Sequence, residues 1–308
     1  MSQELAGAFV VLVTPFDSKQ VQDHDSLRRL VRYNLKAGVN GFTALGEVSE
    51  SPKMSDQERK DNLQTIFDEV KGKVPVIVGA SRESTDLAME AARQAEKLGA
   101  AAVMIAPPKN LRMRDEAIFN HFAAISDSIN IPIVVQDEPE SDHPYMSVQL
   151  IARLANETKH SQYVKLEDPP TPMKIQKLKQ LIGDKMRIFG ASHGRAYFWE
   201  LERGAIGIMT ASPTPEYLVA IWKAFKSGNF EMAKKLFYYS LPVSHYYGEM
   251  ALAVKKEVLV NRSVIKTATL KQPAGYLGEP DRRDLIELLK WMEKGIQDST
   301  GISPLHPE

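Results

Sequence analysis

The chain has 308 residues, enough for one large α/β domain or two smaller ones. At 43% hydrophobic and 25% charged it has the composition of a soluble globular protein, and 39 basic side chains balance 39 acidic ones, so no basic stripe points to nucleic acid. It has no cysteine, which excludes disulfides, thiol nucleophiles and cysteine metal sites.

The chain opens with Met1-Ser2-Gln3-Glu4, which has no positive region ahead of an apolar stretch, so no signal peptide is expected. No apolar run reaches the ~20 residues needed to cross a bilayer, so no membrane partner is expected and the expected compartment is the cytoplasm. Short β-rich apolar runs then alternate with amphipathic stretches. The first pair is a strand over 9–13 and a helix over 25–36, closed by Ala37-Gly38. A strand over 41–45 leads to a helix over 55–70, where Ser55 and Glu58 have the spacing of a capping box. Strands over 74–78, 101–105 and 131–135 precede helices over 84–98, 114–129 and 147–155; Ser84 sits at an N-cap and Leu98-Gly99 at a helix end. Strands over 162–166, 186–189 and 206–209 complete the set, with helices over 172–182 and 195–203 between them. Beyond Thr210 the pattern is helical only: 215–226, 229–239, 245–260 and 282–297.

Eight strands, each followed by a helix, predict parallel pairing through βαβ units and a closed (β/α)8 TIM barrel over 1–212. Near-continuous apolar strands such as Val76-Ile77-Val78 suit a parallel sheet covered on both faces. A doubly wound sheet is the alternative; against it, the first strand is followed by Thr14-Pro15-Phe16-Asp17, not by a glycine-rich phosphate turn. Residues 213–308 are read as an appended C-terminal helical region packed on the barrel, since no Gly/Ser linker sets it apart.

Active sites of such barrels lie at the C-terminal strand ends. There the sequence offers Gly46-Glu47, Gln136-Asp137-Glu138, Lys165 and Glu167, Gly190 and Thr210. In Tyr163-Val164-Lys165-Leu166-Glu167-Asp168-Pro169-Pro170 the side chains alternate, so Lys165 and Glu167 share a face. If Val164 and Leu166 pack outward, that face points inward, and a buried lysine loses its proton readily enough to act as a nucleophile. The alternative is an edge strand whose polar face meets water. The turn after the second strand, with Glu47, Val48 and Ser49, exposes N–H groups suited to an anionic group of a substrate, or merely connects.

The spacing Ala37-Gly38, Gly46 to Glu50, Met54-Ser55 and Glu58-Arg59 resembles the dihydrodipicolinate synthase / N-acetylneuraminate lyase superfamily, as do Thr14-Pro15-Phe16, Val76 to Gly79, Pro107-Pro108 and Pro132 to Pro139. Lys165 falls where that family has its Schiff-base lysine. The resemblance implies a class I lyase, a 2-keto acid substrate, a homotetramer, and neither metal nor organic cofactor, because the imine is itself the electron sink. The departures are specific. The family's paired threonines are Glu47 and Val48 here, its catalytic tyrosine is Gln136, the arginine beyond that motif is missing, and Pro107-Pro108-Lys109 replaces another tyrosine. Gln-Asp-x-Pro together with Lys-x-Glu is similar to the L-2-keto-3-deoxyarabonate dehydratase-like branch, which implies dehydration of a 2-keto-3-deoxy sugar acid. Aldol cleavage, a dihydrodipicolinate synthase-like condensation and a barrel that only binds keto acids are the alternatives. On this reading Lys165, Glu167 and Gln136 are catalytic, while Glu47, Val48, Ser49, Gly190 and Ile206 bind substrate. His193 either faces the site or starts a helix at the surface, and His143 and His245 are read as structural.

Overall fold

A computed structural model describes residues 5–109 and 112–305; residues 1–4, on which the signal-peptide reading rests, lie outside them. Eight strands are present: β1 (Gly7–Val11), β2 (Gly41–Ala44), β3 (Val76–Gly79), β4 (Ala102–Ile105), β5 (Ile133–Asp137), β6 (Ser161–Leu166), β7 (Arg187–Phe189) and β8 (Gly207–Thr210). They pair in parallel in the order β7-β6-β5-β4-β3-β2-β1-β8. Gly190 closes the ring: its N–H donates to the Gly207 carbonyl at 3.0 Å and its carbonyl accepts from the Met209 N–H at 2.8 Å. The expected (β/α)8 barrel is the observed fold.

Alternation along each strand builds two apolar layers. Phe9, Val11, Ile77, Met104, Val134 and Phe189 fill the interior. Val10, Val78, Val103, Val135, Val164 and Ile188 face the surrounding helices. The interior aromatics pack edge-on, with Phe9 and Phe189 centroids 5.2 Å apart. The barrel is therefore plugged below, and the polar residues of β5 and β6 sit above the plug.

The helices between strands are α1 (His24–Ala37), α2 (Asp56–Val70), α3 (Thr85–Lys97), α4 (Asp115–Asp127), α5 (Val148–Glu157), α6 (Thr171–Ile182) and α7 (Tyr197–Glu202). Ser55 and Glu58 form both halves of the capping box, Ser84 caps α3, and Gly38 ends α1 in the left-handed region at φ +81°. The segment beyond β8 begins with α8 (Pro215–Lys226), which packs on β1 and α1, and continues with α9 (Phe230–Glu249), α10 (Ala251–Asn261) and α11 (Glu279–Thr300).

Two local expectations differ. The helices expected over 229–239 and 245–260 break elsewhere: α9 runs through Pro242, and the break falls at Met250. Proline removes one N–H, but α9 is wedged between α8 and α11, and that packing outweighs the lost bond. The helix expected over 195–203 shrinks to α7 because Ala196 (φ −126°, ψ 11°) and Arg203 (φ −98°, ψ 10°) both leave helical geometry.

The segment after α10 returns across the β2 end of the barrel. Lys256 on α10 donates to Glu50 at 2.7 Å and to the Thr269 carbonyl at 2.8 Å. The Lys271 N–H donates to the other Glu50 oxygen at 2.8 Å, and Lys53 donates to the Lys271 and Pro273 carbonyls. The turn that follows β2 is thus strapped down by the C-terminal third of the chain.

Candidate active site

The register of β5 on β6 sets Gln136 beside Lys165. Val164 and Leu166 belong to the outer layer, so Lys165 points into the barrel, as the first of the two readings expected. The strand then ends, with the Glu167 N–H donating to the Asp137 carbonyl at 2.8 Å. Lys165 Nζ donates to Glu167 Oε1 at 2.5 Å, and both side chains are buried. Gln136 Nε2 donates to the same Glu167 oxygen at 3.2 Å and, more tightly, to Glu138. Ser141 Oγ donates to the second Glu138 oxygen at 2.8 Å. One hydrogen-bonded row therefore runs Lys165–Glu167–Gln136–Glu138.

Burial pulls the Lys165 ammonium down, but the Glu167, Glu138 and Glu47 carboxylates outweigh it and hold the group above its ordinary value. Burial pushes the Glu167 carboxyl up to about 7, against the pull of Lys165 and with help from Glu138. A carboxyl poised there, in contact with an ammonium, can take a proton from the amine and leave a nucleophile.

Gln136 also forms part of the wall of a cavity of about 310 Å³, with Glu47, Arg82, Met104, Lys109 and His143 among its other residues. Glu47 pairs with Lys109 at 2.5 Å and with His143 Nε2 at 3.3 Å. Burial would raise the Glu47 carboxyl; hydrogen bonds from His143 and Lys109 prevail and hold it at about 2. Among the described residues, Glu47, Glu138 and His143 offer ligand atoms within 4.8 Å of one another, the donor set of a divalent cation site. The Lys109 ammonium already stands against Glu47, where such a cation would sit.

The other expected site residues scatter. Val48 is half-buried and packs on the interior core. Ser49 is tied to the β1 end: its Oγ donates to the Leu12 carbonyl at 2.5 Å, and its carbonyl accepts from Thr14. The backbone of Gly190 is taken up by barrel closure, and a Cβ there would meet Glu200 Oε2 at 1.9 Å. Ile206 precedes β8, at the barrel end opposite Lys165, and its carbonyl accepts from the Gly7 N–H. The geometry moves Ile206 away from the cavity: the residue before a strand lies at the base of a parallel barrel. Asp137 is fully buried on the outer side, paired with Lys174 at 2.7 Å, and burial raises its carboxyl to about 6. His193 is half-buried and is not among the residues that line that cavity. It is packed beneath α9, where burial and the Lys255, Arg195 and Lys165 cations depress its imidazole to about 2.

Sequence reasoning read His143 as structural and named Lys109 only as a departure from the family pattern. His143 Nδ1 lies 2.7 Å from the Pro107 carbonyl, so a loop after β5 is anchored on a loop after β4. The available signal was Glu47 itself: a carboxylate needs a cationic partner once buried.

Comparison with known proteins agrees with this architecture. The family model described as the dihydrodipicolinate synthetase family matches residues 4–292. An L-2-keto-3-deoxyarabonate dehydratase of Azospirillum brasilense is 30% identical over 292 residues, spanning 93% of this chain and 94% of that protein. A 4-hydroxy-tetrahydrodipicolinate synthase of Pelobacter propionicus is 28% identical over 287 residues, spanning 92% and 97%. The solved dihydrodipicolinate synthase of Rhodopseudomonas palustris superposes with a TM-score of 0.88 at 31% identity, covering 94% of this chain and 99% of that one. A match over nearly the whole length, in sequence and in barrel alike, makes this chain a member of the dihydrodipicolinate synthetase family.

Proposed function

We propose that the protein dehydrates a 2-keto-3-deoxy sugar acid through a Schiff base on Lys165. The observation that carries this reading is the buried Lys165–Glu167 contact of 2.5 Å, with Gln136 hydrogen-bonded to the same Glu167 oxygen. Glu167 takes a proton from Lys165, and the freed amine attacks the C2 ketone. Loss of water from the carbinolamine gives a protonated imine, which acidifies the C3 hydrogens. Glu167 removes one of them, the C4–O bond breaks, and the unsaturated product isomerises and is hydrolysed from the lysine. Gln136 orients Glu167 and a substrate hydroxyl; an amide can donate and accept but cannot serve as a base. The backbone of the Gly46–Glu47–Val48 turn receives the substrate carboxylate.

Carbon–carbon chemistry is the second reading, supported by the relatives that carry synthase names. Both routes share the imine, so products decide between them. Borohydride with a panel of 2-keto acids is expected to add the mass of the reduced adduct at Lys165, and Lys165→Ala to abolish it. Capture on another lysine would refute the assignment. Release of pyruvate in place of an unsaturated or isomerised keto acid would select the aldolase route.

Assembly as a homotetramer is part of the same proposal. Tyr276, Tyr238 and Trp291 are exposed apolar groups of the C-terminal third, suited to subunit contacts. Light scattering at micromolar concentration is expected to give about four chain masses; a monomer would contradict it.

A further inference from the structure

The inner row Lys165–Glu167–Gln136–Glu138 has a counterpart on the outer face of the same two strands. Alternation turns Asp137 outward between Gln136 and Glu138, and Asp168 outward after Glu167. Both carboxylates meet one ammonium, that of Lys174 in the first turn of α6. Its Nζ stands 2.7 Å from Asp137 Oδ2 and donates to Asp168 Oδ2 at 2.8 Å. It also donates to the Met146 carbonyl at 2.7 Å, in the loop between β5 and α5. The Lys174 side chain is 7% exposed and that of Asp137 is fully buried. Among the described residues no other donor reaches either Asp137 oxygen.

The cluster sits where strand pairing stops. The last paired residues of β5 and β6 are Asp137 and Leu166, and one further bond, from the Glu167 N–H to the Asp137 carbonyl, ends the ladder. Glu138 and the Glu167 side chain, which complete the inner row, lie past that last rung. Beyond it the two chain ends are joined by Lys174, which ties the residue before Glu138 to the residue after Glu167. Buried charges are a poor source of stability, since apolar side chains of the same volume serve a fold as well or better. Their value here is geometric: a satisfied buried network fixes a spacing that apolar packing leaves free to slide.

We infer that Lys174 is a positioning residue of the reaction: by holding Asp137 and Asp168 together on the outer face, it aims the Glu167 carboxylate at C3 of the imine on the inner face. The inference rests on the Schiff base proposed above and on Glu167 as its base, not on the dehydration step. Lys174 lies outside the barrel and acts through the backbone of residues 136–138 and 165–168. Lys165 is set within the paired part of β6, opposite Gln136, and keeps its place without the clamp. Glu167 lies beyond the pairing and does not.

Pyruvate separates the two groups. Borohydride trapping of its imine reads Lys165. Exchange of its methyl hydrogens in D2O, followed by proton NMR, reads Glu167 as well: the carboxylate takes a C3 proton from the imine, leaves the enamine and returns a deuteron. Lys174→Met alone strands two carboxylates, so it is combined with Asp137→Asn and Asp168→Asn, which leaves no uncompensated charge. Denaturant unfolding checks that the triple variant is folded. It is expected to trap pyruvate as the parent does, with a half-saturating concentration within about threefold, while the maximal exchange rate falls ~10–100-fold, the scale of a 1 Å misplacement. Asp168→Asn keeps the buried Lys174–Asp137 pair and decides the matter if the triple variant does not fold. It is expected to lower the exchange rate about 3–10-fold with trapping unchanged, a partial loss of the same alignment. Exchange at the parental rate in a folded variant, or trapping and exchange falling together, would overturn the positioning role. A parent protein that traps pyruvate without exchanging it would remove Glu167 as the base, and the role of Lys174 with it. One that neither traps nor exchanges would refute the Schiff base of the proposed function itself.

Discussion

At the scale of single residues, the proposed chemistry depends on where one proton sits between Lys165 and Glu167. Glu167→Gln keeps shape and hydrogen bonding but removes the base. Turnover is expected to fall ~10²–10⁴-fold while borohydride trapping persists, because the nucleophile remains. Near-normal turnover would move the base to another carboxylate. The pH dependence follows from the raised Glu167 carboxyl. The basic form is the anion, which gains population as pH rises through about 7. Turnover is therefore expected to climb on the acid side with an apparent midpoint near pH 7, and Glu167→Gln should abolish that limb. A midpoint near the ordinary carboxyl value would show that burial does not govern this group.

At the scale of elements, Gly190 joins two layers that otherwise do not meet. It extends β7 to close on β8, and behind it Glu200 of α7 is fully buried, accepting from Thr171 Oγ1 at 2.5 Å. Burial raises the Glu200 carboxyl to about 8, which favours its neutral form. Gly190→Ala would drive a methyl into Glu200 and is expected to cost about 1–3 kcal/mol, measured by denaturant unfolding. Pairing it with Glu200→Ala should recover most of that loss; additive losses would place the strain elsewhere.

The same elements show what could be read in advance. Period-two alternation in β6 was visible, so Lys165 and Glu167 could be assigned to one face, and outward Val164 and Leu166 chose the face. Capping at Ser55 and Ser84 was equally local. Ile206 was grouped with the substrate-binding residues although the strand was read as starting there, and a parallel barrel strand starts at the end opposite Lys165. The break expected between 239 and 245 is absent: α9 runs through Pro242, held by packing against α8 and α11. His143 and Glu47 are 96 positions apart, and neither carries a local signal of the other. Contacts made only by closing the barrel have no periodicity to betray them.

At the scale of the whole molecule, the barrel and the chain beyond it are fastened through buried charge. Lys256 and Glu50 are nearly fully buried and 2.7 Å apart; burial and the nearby Lys53 cation bring the Lys256 ammonium down, and Glu50 brings it only partly back, to about 8. Breaking a buried pair on one side strands the other charge, so Lys256→Met is expected to cost about 3–5 kcal/mol in unfolding experiments. Loss of keto-acid binding should accompany it, because the Glu50 turn also carries Glu47. A variant of parental stability would show that the strap bears no load.

That strap also sets an order of events during synthesis. Glu47 is made early, in the first sixth of the chain, but the lysine and backbone groups that seat its turn lie near residues 256 and 271. A ribosome-bound chain with all eight strands already emerged still lacks the clamp on that turn. That mouth of the barrel is therefore finished last, and a protein cut short after β8 keeps Lys165 while leaving the Glu47 turn unmoored.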